Sequence, residues 1–274
     1  IEETAAAIAA GDRNRRVPEL QTRDEVASLA ASINEMLTQI ETSLERAEES
    51  EERMRQFVAD ASHELRTPLV AIGGYAELYR QGAISEPAEI ASSMRRIEHE
   101  ARRMTTLVED LLVLARFDRD QPLVLGPTDL AVIAADAVQD ARAIQPDREI
   151  LLHGLHGRVR PVELLADERR LRQVVANLIV NAVRHTPAGT PIDVTIGEEP
   201  GGVALIKVAD HGPGIDAQVR SRIFERFYRT DSSRGRGTGG SGLGLAIVQA
   251  IVSAHRGRID VDDTSGGGAT FTVA

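Results

Sequence analysis

His63 and Glu64 are the residues whose types and spacing first suggest chemistry. An exposed imidazole with a carboxylate beside it is a nucleophile with a base at hand. They lie in His63-Glu64-Leu65-Arg66-Thr67-Pro68-Leu69, inside a helical pattern that starts near Asp24. Residues three and four apart share a helix face, so Thr67 sits one turn beyond His63 on the same side. Glu64 projects about 100° around the helix, close enough to polarise the imidazole. Pro68 has no N–H, and its ring crowds the carbonyl of Glu64, which predicts a bend just beside the histidine.

A second constellation lies far along the chain. Asp167-Glu168 opens a helix carrying Val174, Val175, Leu178, Ile179 and Ala182. Asn177 and Asn181 are four apart on it, so both amides face one way. A neutral amide oxygen suits Mg2+ that also holds substrate phosphates. Val203–Ala209 reads as a strand that ends in Asp210-His211-Gly212-Pro213-Gly214-Ile215. Residues 230–241 are Ser, Gly, Arg, Asp and Thr with almost nothing apolar, which reads as a mobile lid. The lid ends in Gly239-Gly240-Ser241-Gly242-Leu243-Gly244-Leu245 and leads into an apolar helix. Glycines opening a helix leave N–H groups aimed at an anion, and the helix dipole assists. No Gly-Lys-Ser/Thr follows, so this is no Walker loop, and no acidic residue follows as in a dinucleotide-binding turn.

Composition bounds what can carry these groups. At 274 residues the chain is long enough for two domains. Apolar residues make up 42% and aromatics only 3%, so aliphatic packing must dominate the core. A net charge of −10 argues against a nucleic-acid face, which needs a basic patch. With 0 cysteines there are neither disulfides nor thiolate metal sites. No apolar run of about 18 residues exists in these 274 to span a bilayer, and no stretch of them reads as a signal peptide. The chain starts at Ile1 within a helical pattern, which reads as a fragment of something longer.

Helical seams occupy the first part. Residues 1–10 are Ala-rich, Gly11-Asp12 stops that helix, and Val17-Pro18 reads as extended chain. Thr22 or Asp24 can cap a new helix with Val26, Leu29, Ile33, Met36 and Ile40 as a coiled-coil seam. The steps from Met36 to Ile40 to Leu44 are both four residues, a stutter that locally unwinds a supercoil. The seam resumes through Ala47, Glu51, Met54, Val58, Ala61 and Leu65. Residues 45–117 read as a hairpin: a first helix to about Gln81, a turn from Gly82 to Pro87 with Ser85 as N-cap, and a second helix. Two helices cannot bury such stripes alone, which predicts a dimer forming a four-helix bundle.

These stretches carry a resemblance. His63–Leu69 closely resembles the H-box of sensor histidine kinases, and Phe57–Ser62 resembles its flank. Asn177–Pro187 resembles the N-box of the Bergerat (GHKL) ATP-binding fold, Asp210–Ile215 the G1 box, Ile223–Arg229 the F-box and Gly239–Leu245 the G2 box. Gly266–Phe271 resembles a last glycine box before an edge strand, and the order of boxes is the family's. Residues 1–44 resemble a partial HAMP coupling segment. The resemblance implies an α + α/β chain. It would hold that HAMP-like coiled coil, an antiparallel helical hairpin over 45–119 dimerising into a four-helix bundle, and an α/β-sandwich ATP-binding domain over 123–274.

The activity so implied is ATP-dependent phosphorylation of His63, then transfer to an aspartate of a response regulator's receiver domain. Phosphatase action on that regulator is a second capacity. His63 would be the nucleophile, Glu64 the proton acceptor, and Thr67 would orient a water for dephosphorylation. Regulator recognition would fall near Val70–Tyr75. ATP would be held by Asn177, Asn181, Arg184, His185, Asp210, Gly212, Gly214, Gly240, Gly242, Leu243, Gly244 and Leu245, with Asn181 also on Mg2+. Arg226 or Arg229 would reach the γ-phosphate. Arg184 stands where Lys is common, and His185 where an aromatic is common. The implied setting is the cytoplasmic portion of a bacterial integral membrane protein, anchored through an upstream segment. Two other classes stay open: a GHKL ATPase without phosphohistidine, and an ATP-binding signalling scaffold.

Overall fold

The computed structural model describes residues 16–17, 25–117, 122–229 and 241–274. Expectations for the first helix, the caps at Thr22 and Asp24, most of the linker after Phe117, the lid and Gly240 lie outside the described residues. Contacts divide the chain into two units, 1–63 and 64–274.

In the first unit, helix α1 (Glu25–Arg80, continuing into the second unit) begins where the seam starts. Asn34 clamps the extended chain before it: Val17 N donates to Asn34 Oδ1 at 2.9 Å, and Asn34 Nδ2 donates to the Val17 carbonyl at 3.0 Å. Val17 and Ala30 are buried there, and Arg16 pairs with Glu41. The seam residues Leu29, Met36, Ile40, Leu44, Met54 and Val58 remain between 38% and 55% exposed in the single chain. That is far more aliphatic surface than one helix ordinarily leaves in water.

The second unit starts with the H-box turn. Helix α1 runs unbroken through Pro68, which removes one N–H from the ladder without ending it. Gly82, at φ +75°, then stops it, with Ala83 N reaching the Leu78 carbonyl at 3.0 Å. Helix α2 (Pro87–Phe117) starts on Pro87, and the Glu86 carbonyl accepts from Ile90 N. The flanking position is therefore Glu86 rather than the expected Ser85, because Pro is most at ease in the first helical position.

Beyond the linker come β1 (Gly126–Asp129), α3 (Leu130–Ile144), β2 (Ile150–Gly154), β3 (Glu163–Ala166) and α4 (Glu168–His185). They are followed by β4 (Ile192–Glu199), β5 (Val203–Asp210), α5 (Gly244–Ala254), β6 (Ile259–Asp263) and β7 (Ala269–Val273). β1 and β3 pair alone, and the main sheet has the order β2-β4-β5-β7-β6. Ile192, Val194 and Ile196 on β4 alternate inward with Ile206 and Val208 on β5 and Phe271 on β7. The helices α3, α4 and α5 cover that face, giving an α/β sandwich whose other face is open. The last strand is not at the edge as expected: β7 lies between β5 and β6, because Ile259–Asp263 supplies one more strand outside it.

Candidate active site

His63 and Thr67 both lie on the exposed side of α1, as the spacing required. Glu64 is half-buried and points toward the hairpin, where Arg103 of α2 approaches it at 3.7 Å. Sequence spacing gave no sign of Arg103, since the pair joins two helices.

The nucleotide boxes meet at one end of the sheet. Asp167 caps α4 by accepting from Arg170 N at 3.2 Å, which sets the phase of the two asparagines. Asn177 donates to the Gly244 carbonyl at 3.3 Å, joining the N-box to the G2 box. Asn181 is half-buried one turn on, while Arg184 and His185 are exposed at the helix end. Thr186 is buried and takes a hydrogen bond from the buried Arg148 at 2.5 Å, a partner the sequence did not reveal.

Asp210 is 5% exposed at the inner end of β5. Its Oδ1 accepts from Gly212 N at 2.9 Å and Ala269 N at 3.2 Å, so the carboxylate is held in one orientation. A Cβ on Gly212 would stand 2.6 Å from Thr186 Cγ2, so the turn is pressed onto the end of α4. Gly214 turns at φ +75° against Gly268. Gly242, at φ +72°, lies against the Phe227 backbone, and Phe227 N donates to its carbonyl at 3.0 Å. The F-box is anchored by Ile223 and by Phe224, which meets Phe271 edge-on at 6.4 Å. Leu243 is fully buried, and α5 begins there with no side-chain cap. Gly244 and Leu245 open that helix, whose first N–H groups are the donors an anion needs.

A carboxylate from the hairpin borders this end. Ser241 Oγ donates to Asp110 Oδ2 at 3.2 Å, and α2 packs on α5. Burial holds the Asp110 carboxyl above its ordinary range, against the hydrogen bond from Ser241. Arg184, exposed over part of its side chain and desolvated over the rest, has its pKa lowered by that desolvation and then by the nearby Arg229. A raised carboxyl favours the fold below its unfolded pKa and loses that contribution as pH climbs through the folded value. Asp110→Asn, which keeps the acceptor without the charge, is therefore expected to be more stable than the parent at pH 7. The gap in urea midpoint should close toward pH 4.

Comparison with known proteins fits this geometry. The HAMP domain model matches residues 1–42, the His Kinase A (phospho-acceptor) domain model 53–120, and the histidine kinase-, DNA gyrase B- and HSP90-like ATPase model 166–274. The chain belongs to the sensor histidine kinases of two-component signalling. It is 47% identical over 249 residues to the probable sensor histidine kinase TcrY of Mycobacterium tuberculosis, covering 91% of this chain and 51% of that one. Among solved structures it resembles the Acinetobacter baumannii histidine kinase AdeS at 27% identity and a TM-score of 0.58, covering 77% of this chain and 95% of that one. Full-length ShkA aligns at 31% identity and a TM-score of 0.57, covering 80% and 45%. The chain spans about half the length of the curated relatives it matches. No described helix is long and apolar enough to cross a membrane.

Proposed function

We propose that this chain binds ATP between α4, the Asp210 turn and the start of α5, phosphorylates His63, and passes the phosphoryl group to an aspartate of a response regulator. The observation that carries this reading is the joining of four boxes by three contacts: Asn177 on Gly244, Gly212 on Thr186, and Gly214 on Gly268. The residues fit a magnesium nucleotide. Asn181 offers an amide oxygen one turn along α4 from Asn177, which bonds the first residue of the uncapped α5, and glycines leave the room that a Cβ would fill. Mg2+, when bound through Asn181, would neutralise phosphate charge.

Asp210 accepts from the adenine amino group, with its own geometry fixed by two backbone N–H groups. The N–H groups of Gly242, Leu243, Gly244 and Leu245 hold the triphosphate, with Arg184 and His185 at its margin. His63 attacks the γ-phosphorus through Nε2 while the bond to the bridging oxygen breaks. Glu64 holds the other nitrogen's proton and stabilises the imidazolium. Two copies pack along the exposed α1 seam, and the regulator docks on α1 below His63. Transmembrane anchoring would come through sequence outside this chain. Thr67 orients water for the reverse, dephosphorylating reaction.

Incubation with γ-labelled ATP and Mg2+ separates the readings. Acid-labile, base-stable label on the chain supports the kinase. Free phosphate without label would favour an ATPase, and bound nucleotide with neither would favour a scaffold.

A further inference from the structure

Across the open face of the sheet, three titratable side chains form one chain of contacts. His153 Nε2 on β2 lies 3.0 Å from Asp193 Oδ1 on β4. His211 Nε2 lies 2.8 Å from Asp193 Oδ2. Both carboxylate oxygens are thus engaged, each by a different histidine. The arrangement follows from register: Asp193 pairs with Ala209 next to the strand end, and His153 is two residues beyond Leu151, the partner of Asp193. Alternation along β4 puts Asp193 on the face opposite the core residues Ile192 and Val194.

His211 is the residue between Asp210 and Gly212. Inside the domain, the turn is fixed by the Asp210 hydrogen bonds and by the press of Gly212 on Thr186. Outside, His211 is tied to the neighbouring strand. We propose that Asp193 and His211 are positioning residues for the nucleotide: they pin the turn that presents Asp210 to adenine, and protonation of His211 tightens that pin. The inference rests on the ATP-binding reading above.

Exposed ion pairs contribute little to global stability, yet a tie at one turn acts directly on whatever that turn holds. Histidine is the side chain whose ordinary titration falls between pH 5 and 8. Burial by itself would raise the Asp193 carboxyl, but the hydrogen bonds from His211 and His153 outweigh it and hold it below its ordinary 3.8. A depressed carboxyl contributes above its unfolded value and fails only as pH falls through the folded one. Asp193 therefore stays ionised from about pH 5 to 8. Among the described residues, Lys207 on β5 and Asp260 and Asp262 on β6 share the open face by register, and Arg220 donates to the Ile215 carbonyl at the end of the turn. Asp210 and Arg148 lie on the inner side.

The test is direct titration with ATP and excess Mg2+ at pH 6 and pH 8, on the parent, His211→Ala, His211→Gln and Asp193→Ala. His211→Ala should raise the ATP Kd about 3- to 10-fold at pH 6 and less at pH 8, the size of one typical intramolecular hydrogen bond. His211→Gln restores a neutral donor, so it should match the parent at pH 8 and fall behind at pH 6. Using its ratio to the parent cancels the protonation of ATP itself. Asp193→Ala should copy His211→Ala, and the double variant should be no worse than either. Equal Kd values for parent and His211→Ala at both pH values would overturn the proposal, as would additive losses in the double variant. If the parent itself binds no ATP, the ATP-binding reading falls and this one with it. ATP binding that is indifferent to pH and to these variants would remove this inference alone.

Discussion

Gly268→Ala is expected to lower ATP affinity at least tenfold and to destabilise the ATP-binding domain by about 3 kcal/mol or more. A Cβ there would lie 1.9 Å from the Asp210 carbonyl oxygen, 2.7 Å from its carbon and 2.8 Å from His211 Cα. All three are backbone atoms, so no side chain can swing away. The residue also holds φ +112°, a conformation that L residues resist. Relief requires β7 to part from β5 just where Ala269 N reaches Asp210. Titration with ATP and urea unfolding would read both effects. Wild-type affinity in Gly268→Ala would contradict the placing of adenine at Asp210.

Glu64→Ala is expected to slow labelling of His63 by about 100-fold or more while leaving the ATP Kd unchanged. The carboxylate is next to the nucleophile and distant in sequence from every nucleotide box. Arg103 complicates the reading, because Glu64 also pairs with it at 3.7 Å. Arg103→Ala separates the two roles: it removes the ion pair and keeps the base, so its labelling rate should stay within a few-fold of the parent. Equal losses of labelling and ATP binding in Glu64→Ala would refute the assignment. A rate in Arg103→Ala as low as in Glu64→Ala would make Glu64 a packing residue.

What the sequence showed was local. The His63 face, the caps at Asp167 and Gly82, the strand into Asp210 and the glycines opening α5 are each set within one or two turns of chain. Periodicity and turn chemistry record such features directly. Ties between distant residues leave no such trace. Asn34 on Val17, Arg148 on Thr186, Ser241 on Asp110 and the pair of histidines on Asp193 are between 17 and 131 residues apart. Each needs the packed fold before its partner is known. The place of β7 inside the sheet has the same origin. Gly266–Phe271 signals a turn and a strand, but only the pairing of β6 decides which strand is outermost. Ser85 and Glu86 differ by one residue, and there the fixed φ of Pro87 settled the boundary.

The most direct test of the account compares the parent and His63→Gln after incubation with γ-labelled ATP and Mg2+. The variant keeps the helix and the whole nucleotide site, so both proteins should bind ATP equally. Acid-labile, base-stable label on the parent and none on His63→Gln is the expected result. Label on both would place the phosphoryl acceptor elsewhere in the chain and contradict the account at its centre.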